Sequence, residues 1–437
     1  MKIRIYSLAS GLHAEAMSRT ERDPFIRDVT AALSAVEPDA EVMVMGTPDA
    51  GYGTGAADLI YIRTGGTEGA FKAAFTAPDG TLALPPVPVL LLTSGKSNSL
   101  AASMEILSFL RQRGHVGEIL HGPAEYIAGR ILAISGSRAA GHVDETGEGE
   151  TGRRAFDAGA WKARLQGKRL GLVGKPSDWL ISSDVDPDVA QRELGLELVD
   201  ISMAELVAEI RKGAFEWPEG IAWPSGGPIT EAFQPRFGRT LTPAAFEGAM
   251  EIYGALCRLI ARYRLDGLTL RCFDLLSEVG NTGCMALALL NAQGIPSSCE
   301  GDVPALISML VARELAGCCG FQANPSRIDP QSGEMLLAHC TVPLDMIRCG
   351  EYDTHFESGI GVAVRGELAE GPVTVLKVSP DLKQCFAVDA TLVRNQAERD
   401  LCRTQVVLRA PGTARYFLTD SIGNHHIIVP GHHAGEV

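Results

Sequence analysis

The densest group of residues that could do chemistry is Cys299-Glu300-Gly301-Asp302, which ends an apolar, β-prone run and directly precedes a helical pattern. Two carboxylates therefore stand at the carboxyl end of a strand, where doubly wound sheets bind their ligands. Asp302 also has a structural explanation, as the N-cap of the following helix. Glu300 has none, and a carboxylate is costly to hold at a strand end unless a metal, a cation or a substrate meets it.

Two further polar residues belong to the strand candidates that follow. Asn324 closes the run CCGFQAN, and a parallel sheet would bring the end of this strand close to Glu300. Asparagine before proline also opens turns, which is the structural alternative. His339 lies inside the apolar run MLLAHCT, where a lone histidine is either a hydrogen-bonded core residue or a ligand.

A pair of histidines near the end of the sequence is the third candidate group. His425 and His426 flank the start of a strand in GNHHIIVPG and so point to opposite faces, which allows at most one of them to enter a given site. A glutamate and a neutral imidazole, with an amide oxygen nearby, suit a hard-to-borderline divalent ion. The residue types therefore suit an ion such as manganese or magnesium.

Two glycine-rich turns, RTGGTEG (63–69) and TSGKSNS (93–99), each follow a strand pattern and precede a helical one. Backbone N–H groups of such turns can bind a phosphate or sugar hydroxyls. Neither predicts a nucleotide site, because Leu90 stands where a phosphate-binding loop needs glycine and no G-x-G-x-x-G follows a strand. The residues expected to contact substrate here are Thr64, Gly65, Gly66, Thr67, Glu68, Lys96, Asn98 and Ser99.

The elements that position these residues predict an α/β protein with three domains. Residues 1–150 alternate apolar runs with helical patterns, which is typical of a doubly wound parallel sheet, and a polar, glycine-rich segment at 135–152 predicts a linker. Residues 151–344 repeat the alternation and predict a second doubly wound domain. Residues 345–437 change to short β-type runs, RYFLTD among them, and predict a small antiparallel β-barrel.

Within the second domain the apolar patterns predict individual elements. The strand candidates are 168–174, 196–202, 268–273, 295–300, 318–324 and 335–341. The strongest helical patterns lie at 243–265, 283–293 and 303–316.

The composition excludes several classes of partner. The formal net charge of −14 repels phosphate backbones and anionic lipids, and no stretch approaches the length of a membrane-spanning helix, so we expect no nucleic acid and no membrane as partners. The ten cysteines lie mostly in apolar runs without any C-x-x-C pair, which favours reduced thiols and a cytoplasmic location.

Several segments together resemble the L-fucose isomerase family in its broad sense, of which L-arabinose isomerase is a more distant relative. They are RCFDLLSEVGNTGCMALALLNAQGIPSSCEGDVPAL, GFQANPSRID, LAHCTVPL, THFESGIGV and GNHHIIVPG, with KPSDWLISS in the second domain. The resemblance implies two α/β domains and a β-barrel, an aldose–ketose isomerisation, and a divalent ion that is typically manganese.

The resemblance also assigns roles to particular residues. Glu300 matches the family's first metal-binding carboxylate, which is also an acid/base, and His425 matches its metal-binding histidine. Asn324 falls on the second carboxylate, an aspartate in the fucose enzymes. His339 resembles the histidine that arabinose isomerases use near the same ion. The expected metal ligands are therefore Glu300, Asn324 and His425.

Asn324 departs from the family pattern in a way that affects the mechanism. An amide ligates a metal through oxygen but cannot take and return a proton, whereas an ene-diol mechanism needs a base at one carbon and an acid at its neighbour. Glu300 would act alone, or Asp302, His339 or a water on the metal would help. The expected catalytic residues are thus Glu300, Asp302 and His339, with further substrate contacts from Trp179, Arg271 and His426.

The function predicted from the sequence is the isomerisation of an open-chain pentose or (deoxy)hexose through an ene-diol. A metal-assisted lyase or epimerase acting on a related polyol is the first alternative, and a non-catalytic sugar-binding protein is the second. The family's active sites cross subunit boundaries. We therefore expect a homo-oligomer, a hexamer or a trimer, in which the first-domain turns lie near another chain's Glu300.

Overall fold

The computed structural model describes residues 1–10, 23–48, 52–55, 57–140, 152–213 and 241–437. These residues fall into two compact units, which we describe separately. The first unit is Met1–Thr151, Pro325–Met335 and Pro411–Asn424, and the second is Gly152–Asn324, Leu336–Ala410 and His425–Val437.

The first unit is built on a parallel five-stranded sheet. Its elements are β1 (Lys2–Leu8), α1 (Pro24–Val36), β2 (Glu41–Val44), β3 (Ala57–Ile62), α2 (Glu68–Phe75), β4 (Val89–Thr93), α3 (Ser99–Gln112), β5 (Gly117–Leu120) and α4 (Ala124–Ala140). The strand order is β2-β1-β3-β4-β5, and the four neighbouring pairs are parallel. β3 and β4 are buried along their whole length, which explains why their sequences are continuous apolar runs.

The second unit opens with a parallel four-stranded sheet of order β10-β9-β7-β8. Its elements up to that sheet's last helix are β6 (Arg153–Ala155), α5 (Ala158–Leu165), β7 (Arg169–Val173), α6 (Pro187–Leu194), β8 (Glu197–Ile201), α7 (Met203–Arg211), α8 (Pro243–Tyr263), β9 (Gly267–Leu270), α9 (Asp274–Glu278), α10 (Cys284–Ala292), β10 (Ser297–Cys299) and α11 (Val303–Ala316). The parallel α/β architecture predicted from the sequence is confirmed.

Helix α11 shows how the local sequence fixes the position of the candidate site. The Asp302 side chain caps the helix by accepting from the N–H of Ala305 at 2.7 Å, and Gly317 ends it in the left-handed conformation. Every residue from Val303 to Ala312 is buried, so the helix lies deep in the unit. The capping interpretation of Asp302 and the helix predicted at 303–316 are confirmed.

The remaining strands form a closed six-stranded antiparallel barrel. They are β11 (Phe321–Ile328), β12 (Glu334–His339), β15 (Gly371–Val378), β16 (Gln384–Gln396), β17 (Thr404–Arg409) and β18 (His426–Pro430), while β13 (Ile347–Asp353) and β14 (Ala363–Leu368) form a separate two-stranded sheet. The order is β15-β18-β11-β12-β17-β16, and the pairing of β15 with β16 closes it. The predicted β-barrel is therefore confirmed.

The structure corrects the assignment of two strands to the second parallel sheet. β11 and β12, predicted at 318–324 and 335–341, belong to the barrel, and β11 pairs antiparallel with β18 through Phe321 opposite Ile428. An apolar run of strand length predicts a strand but carries no information about its partner, so the sequence could not assign these two to a sheet.

Three smaller predictions also change. RYFLTD is not a strand, because Tyr416–Asp420 form a π-helical turn whose first three residues are buried. The run GIGVAVRGEL forms β14, outside the barrel. Helix α4 extends to Ala140, into the predicted linker, and residues 141–151 of that segment lie outside the described residues. Among the helices that the structure describes, none has the length and apolar character needed to cross a membrane.

Candidate metal centre

Glu300 occupies a strained turn between β10 and α11 in the second unit. Its φ is +65° and that of Gly301 is +76°, so both residues have the left-handed backbone conformation. For a residue other than glycine this conformation costs on the order of 1–3 kcal/mol, and such strain concentrates at functional sites. The Glu300 side chain is only 13% exposed. The structure therefore holds this carboxylate in place at a cost in stability.

Two histidines of the barrel converge on this carboxylate. Glu300 Oε1 lies 3.4 Å from Nε2 of His425 and 3.6 Å from Nε2 of His339, and the two imidazole rings are 5.4 Å apart. One ligand atom from each of the three residues lies within 4.8 Å of the other two. Atoms that bind one ion at about 2.1 Å lie roughly 3–4 Å apart, and both distances from Glu300 Oε1 to the imidazole nitrogens fall in that range.

His425 is oriented by buried charged groups. Its Nδ1 lies 2.8 Å from Asp302 Oδ2, and Lys377 Nζ donates to its backbone carbonyl at 3.0 Å. Asp302 and Lys377 are completely buried. Among the described residues, His425 Nε2 is buried without a hydrogen-bond partner. A carboxylate on Nδ1 that leaves Nε2 available is the usual arrangement of a metal-binding histidine, so the donor set fits an ion.

His339 is held in a similar way by a neutral group. Its Nδ1 lies 2.9 Å from the hydroxyl of Thr341, and both residues are buried. This contact leaves Nε2 directed at Glu300. The resemblance placed His339 near the ion, and the amide at Asn324 made it a candidate acid/base; the geometry makes it a third potential ligand.

The charges of the site are strongly coupled. Burial raises the pKa of Glu300, but His425 and His339 outweigh it and hold that pKa well below the usual range. Burial lowers the pKa of His425, whereas Glu300 and Asp302 together raise it to about 10. Burial also raises the pKa of Asp302, and Lys377 and His425 bring it below its ordinary value. The carboxylates of Glu300 and Asp302 thus both act on His425, while Lys377 acts on Asp302, and two carboxylates around one ring favour a cation there.

Asn324 reaches the same region by a different route from the one predicted. It follows Ala323, which pairs with His426 across the antiparallel ladder of β11 and β18, so Asn324 and His425 are cross-strand neighbours at the end of that ladder. Asn324 is buried. His426 is also buried and packs edge-on against Phe386 at 5.5 Å, so it is His425 that faces Glu300.

Trp179 and Arg271, expected to contact substrate, lie next to the centre with their polar groups already engaged. The indole N–H of Trp179 donates to Glu300 Oε2 at 2.6 Å. Arg271 binds the carboxylates of Asp178 and Asp274 and the carbonyl of Pro176.

His355 is a further residue of this region that the sequence interpretation did not select. Its ring packs edge-on against Phe273 at 5.3 Å, and Phe273 packs on Trp179 at 4.8 Å. Burial lowers the pKa of His355 to about 4, so it is neutral, with its Nδ1 beside the hydroxyl of Ser358. His355 lies in THFESGIGV, one of the segments that resemble the L-fucose isomerase family, and this resemblance is the sequence signal that points to it.

The residues predicted in the two glycine-rich turns meet each other in the first unit. The N–H of Gly65 donates to the carbonyl of Ser97 at 2.7 Å, and the Thr64 side chain accepts from the N–H of Ser10 at 3.2 Å. The turns follow β3 and β4, and Glu68 and Ser99 begin α2 and α3. They lie at the carboxyl edge of the sheet, beside the point where the strand order reverses between β1 and β3.

Comparisons with known proteins relate part of the chain to sugar isomerases. Proteins named sulfoquinovose isomerase from Priestia aryabhattai and Priestia megaterium are each 24% identical over 221 residues, which is 48% of this chain and 47% of theirs. Another, from a Clostridium species, is 31% identical over 111 residues, 25% of each chain. No family model matches the chain.

These matches support a sugar isomerase in general and do not single out L-fucose isomerase. The aligned region spans about half the length of the Priestia proteins and a quarter of the Clostridium protein.

Proposed function

We propose that this protein is a metal-dependent aldose–ketose isomerase that acts on an open-chain sugar through an ene-diol. The observation that carries the proposal is the convergence of Glu300, His339 and His425 on one point at the end of a parallel sheet. The relatives named sulfoquinovose isomerase support the same reaction class.

In the proposed mechanism, Glu300, His339 and His425 would hold a divalent ion, with Asn324 as a further ligand. Such an ion, manganese by proposal, would supply Lewis-acid polarisation of the sugar carbonyl. Glu300 moves the proton between C1 and C2. Asp302 is buried and contacts Nδ1 of His425, so we propose that it orients this histidine. Because His339 is a proposed ligand, the second proton-transfer group is His355 or water.

The names of the relatives make sulfoquinovose, a hexose with a sulfonate on C6, the first substrate to test. L-Fucose and L-arabinose follow because of the resemblance of the site segments. An isomerase should convert one of these aldoses to its ketose when manganese is present. The reaction in deuterated water should place deuterium on the carbon that exchanges its proton with Glu300, which NMR detects directly.

Replacing Glu300 by glutamine tests the role of this carboxylate. Glutamine keeps the size and one ligand oxygen but removes the base, and general acid–base catalysis contributes roughly 10²–10⁴-fold, so kcat should fall by at least that order. Glu436→Gln, at an exposed glutamate of the same unit, is the matched control and should keep full activity.

The product distinguishes the proposal from its alternatives. If the protein cleaves the carbon chain and forms no ketose, it is a lyase; if it inverts one carbon and forms no ketose, it is an epimerase. If it binds a sugar tightly but shows no turnover at any metal concentration, it is a sugar-binding protein.

A further inference from the structure

The two carboxylate oxygens of Glu300 face different groups, on opposite sides of the side chain. Oε1 faces the Nε2 atoms of His339 and His425, whereas Oε2 accepts the indole N–H of Trp179 at 2.6 Å. A hydrogen bond to an ionised acceptor is short and roughly twice as strong as a neutral one. The indole therefore fixes the rotation of the carboxylate, which would otherwise be free to turn both oxygens toward the histidines.

Trp179 belongs to a loop, residues 175–180, that is fitted closely to the Glu300 turn. The N–H of Ser177 donates to the Glu300 carbonyl at 2.9 Å. A Cβ on Gly301 would lie 2.7 Å from Pro176 Cα and 2.8 Å from the Lys175 carbonyl oxygen, so only glycine allows this approach. The loop and the strained turn thus hold each other in place.

Arg271 fastens this loop from the neighbouring strand end, one residue after β9. It donates to the Pro176 carbonyl at 2.8 Å and makes a two-pronged contact with Asp178 at 3.2 and 2.9 Å. Its Nε donates to Asp274 at 3.0 Å. Its guanidinium thus contacts two carboxylates and a loop carbonyl, and the side chain is only 19% exposed, which suits an anchor of the loop.

We infer that Trp179 is a positioning residue that makes Glu300 a one-oxygen ligand, and that Arg271 acts through it by anchoring residues 175–180. This inference rests on the proposed function, because the ligand in question is that of the proposed metal centre. It moves Arg271 from substrate binding, where the sequence placed it, to the support of the carboxylate. The ring of Trp179 is supported in turn by the edge of Phe273 at 4.8 Å.

The decisive experiment measures Mn²⁺ affinity by calorimetry in the full-length protein. Trp179→Phe keeps an aromatic ring on Phe273 but removes the donor, and loss of such an outer hydrogen bond costs about 10–100-fold in metal affinity or activity. Arg271→Lys should weaken Mn²⁺ binding in the same direction by a smaller factor. Trp161→Phe, at a buried tryptophan of the same unit, is the matched control and should keep wild-type affinity.

The double variant separates an anchor from an independent contact. If Arg271 acts through Trp179, the double variant should bind Mn²⁺ no more weakly than Trp179→Phe alone, since coupled residues are not additive. With manganese saturating, both single variants should lower kcat and leave KM for the sugar unchanged. A substrate-binding Arg271 would instead raise KM and leave Mn²⁺ affinity unchanged.

Each failure has its own signature. One outcome would overturn this inference and leave the proposed centre standing. In that outcome Glu300→Gln loses Mn²⁺ affinity and kcat, whereas folded Trp179→Phe keeps the wild-type values of both. A wild-type protein that binds no Mn²⁺ at all would overturn the proposed centre, and the inference with it.

Discussion

At the scale of single residues, the site is organised around the two ring nitrogens of His425. Nδ1 meets the buried carboxylate of Asp302, and Nε2 lies 3.4 Å from Glu300. The sequence indicated both carboxylates and the histidine. It could not show that Asp302 contacts Nδ1 of the ring while Glu300 lies near Nε2. These different positions of the two carboxylates depend on the turn at Glu300, and no sequence pattern predicted its left-handed conformation.

Asp302→Asn tests the positioning role of this carboxylate. Asparagine still caps α11, so the helix should be kept, but the charged acceptor for Nδ1 is lost. We expect Mn²⁺ affinity to fall about 10–100-fold, as is typical when the outer partner of a metal-binding histidine is removed. Calorimetry checks this, with circular dichroism as the control for folding. Unchanged affinity in a folded variant would show that Asp302 only caps the helix.

Asn324→Asp tests whether the amide is adapted to the native reaction. A second negative charge beside Glu300 would raise a carboxylate pKa and alter metal affinity, so we expect native turnover to fall. The comparison is kcat with the best substrate for wild type and variant at saturating manganese. Isomerase activity that appears only in Asn324→Asp would show the opposite, that the amide is a lesion in a former enzyme.

At the scale of elements, most helices and strands could be predicted and their partners could not. Helix α11 was predicted with its observed bounds, because Asp302 and Gly317 mark its ends and its interior is apolar. β11 and β12 were predicted as strands but placed in the wrong sheet. Asn324 nevertheless lies beside His425, because the antiparallel ladder with β18 brings it there.

An element-scale prediction concerns His121, directly after β5 in the first unit. Its Nδ1–H donates to the Thr93 carbonyl at 3.1 Å, and its Nε2 accepts from the N–H of Ile328 at 3.1 Å, so the ring must be neutral. Burial lowers its pKa to about 4 from 6.5. As the pH falls, the unfolded chain binds the proton first, so the stabilisation is complete above about pH 6.5 and is lost progressively toward pH 4.

The loss at pH 4 should be about 3 kcal/mol from this group. Urea unfolding of the wild type and of His121→Gln at pH 7 and pH 4 measures it, because the variant lacks the titrating group and should lose less stability. His432→Gln, at an exposed histidine, is the control and should follow the wild type. Equal losses in wild type and His121→Gln would contradict the assignment.

At the scale of the whole molecule, the prediction of a homo-oligomer remains to be tested. It depends on the two glycine-rich turns, whose residues meet in the first unit, and on the resemblance of the sequence to a family whose active sites cross subunit boundaries. We expect light scattering to give the mass of a trimer or a hexamer. A stable monomer with full activity would contradict this prediction, and the first-unit turns would then need another role.

Anomalous diffraction from manganese-loaded crystals shows whether Glu300, His339 and His425 hold one divalent ion. We expect one anomalous peak per chain, about 2.0–2.3 Å from Glu300 Oε1 and from both Nε2 atoms. Crystals of Glu300→Gln grown in the same way should show a weakened peak or none. A strong peak elsewhere in the wild type, with nothing between these three side chains, would show that the proposed centre is wrong.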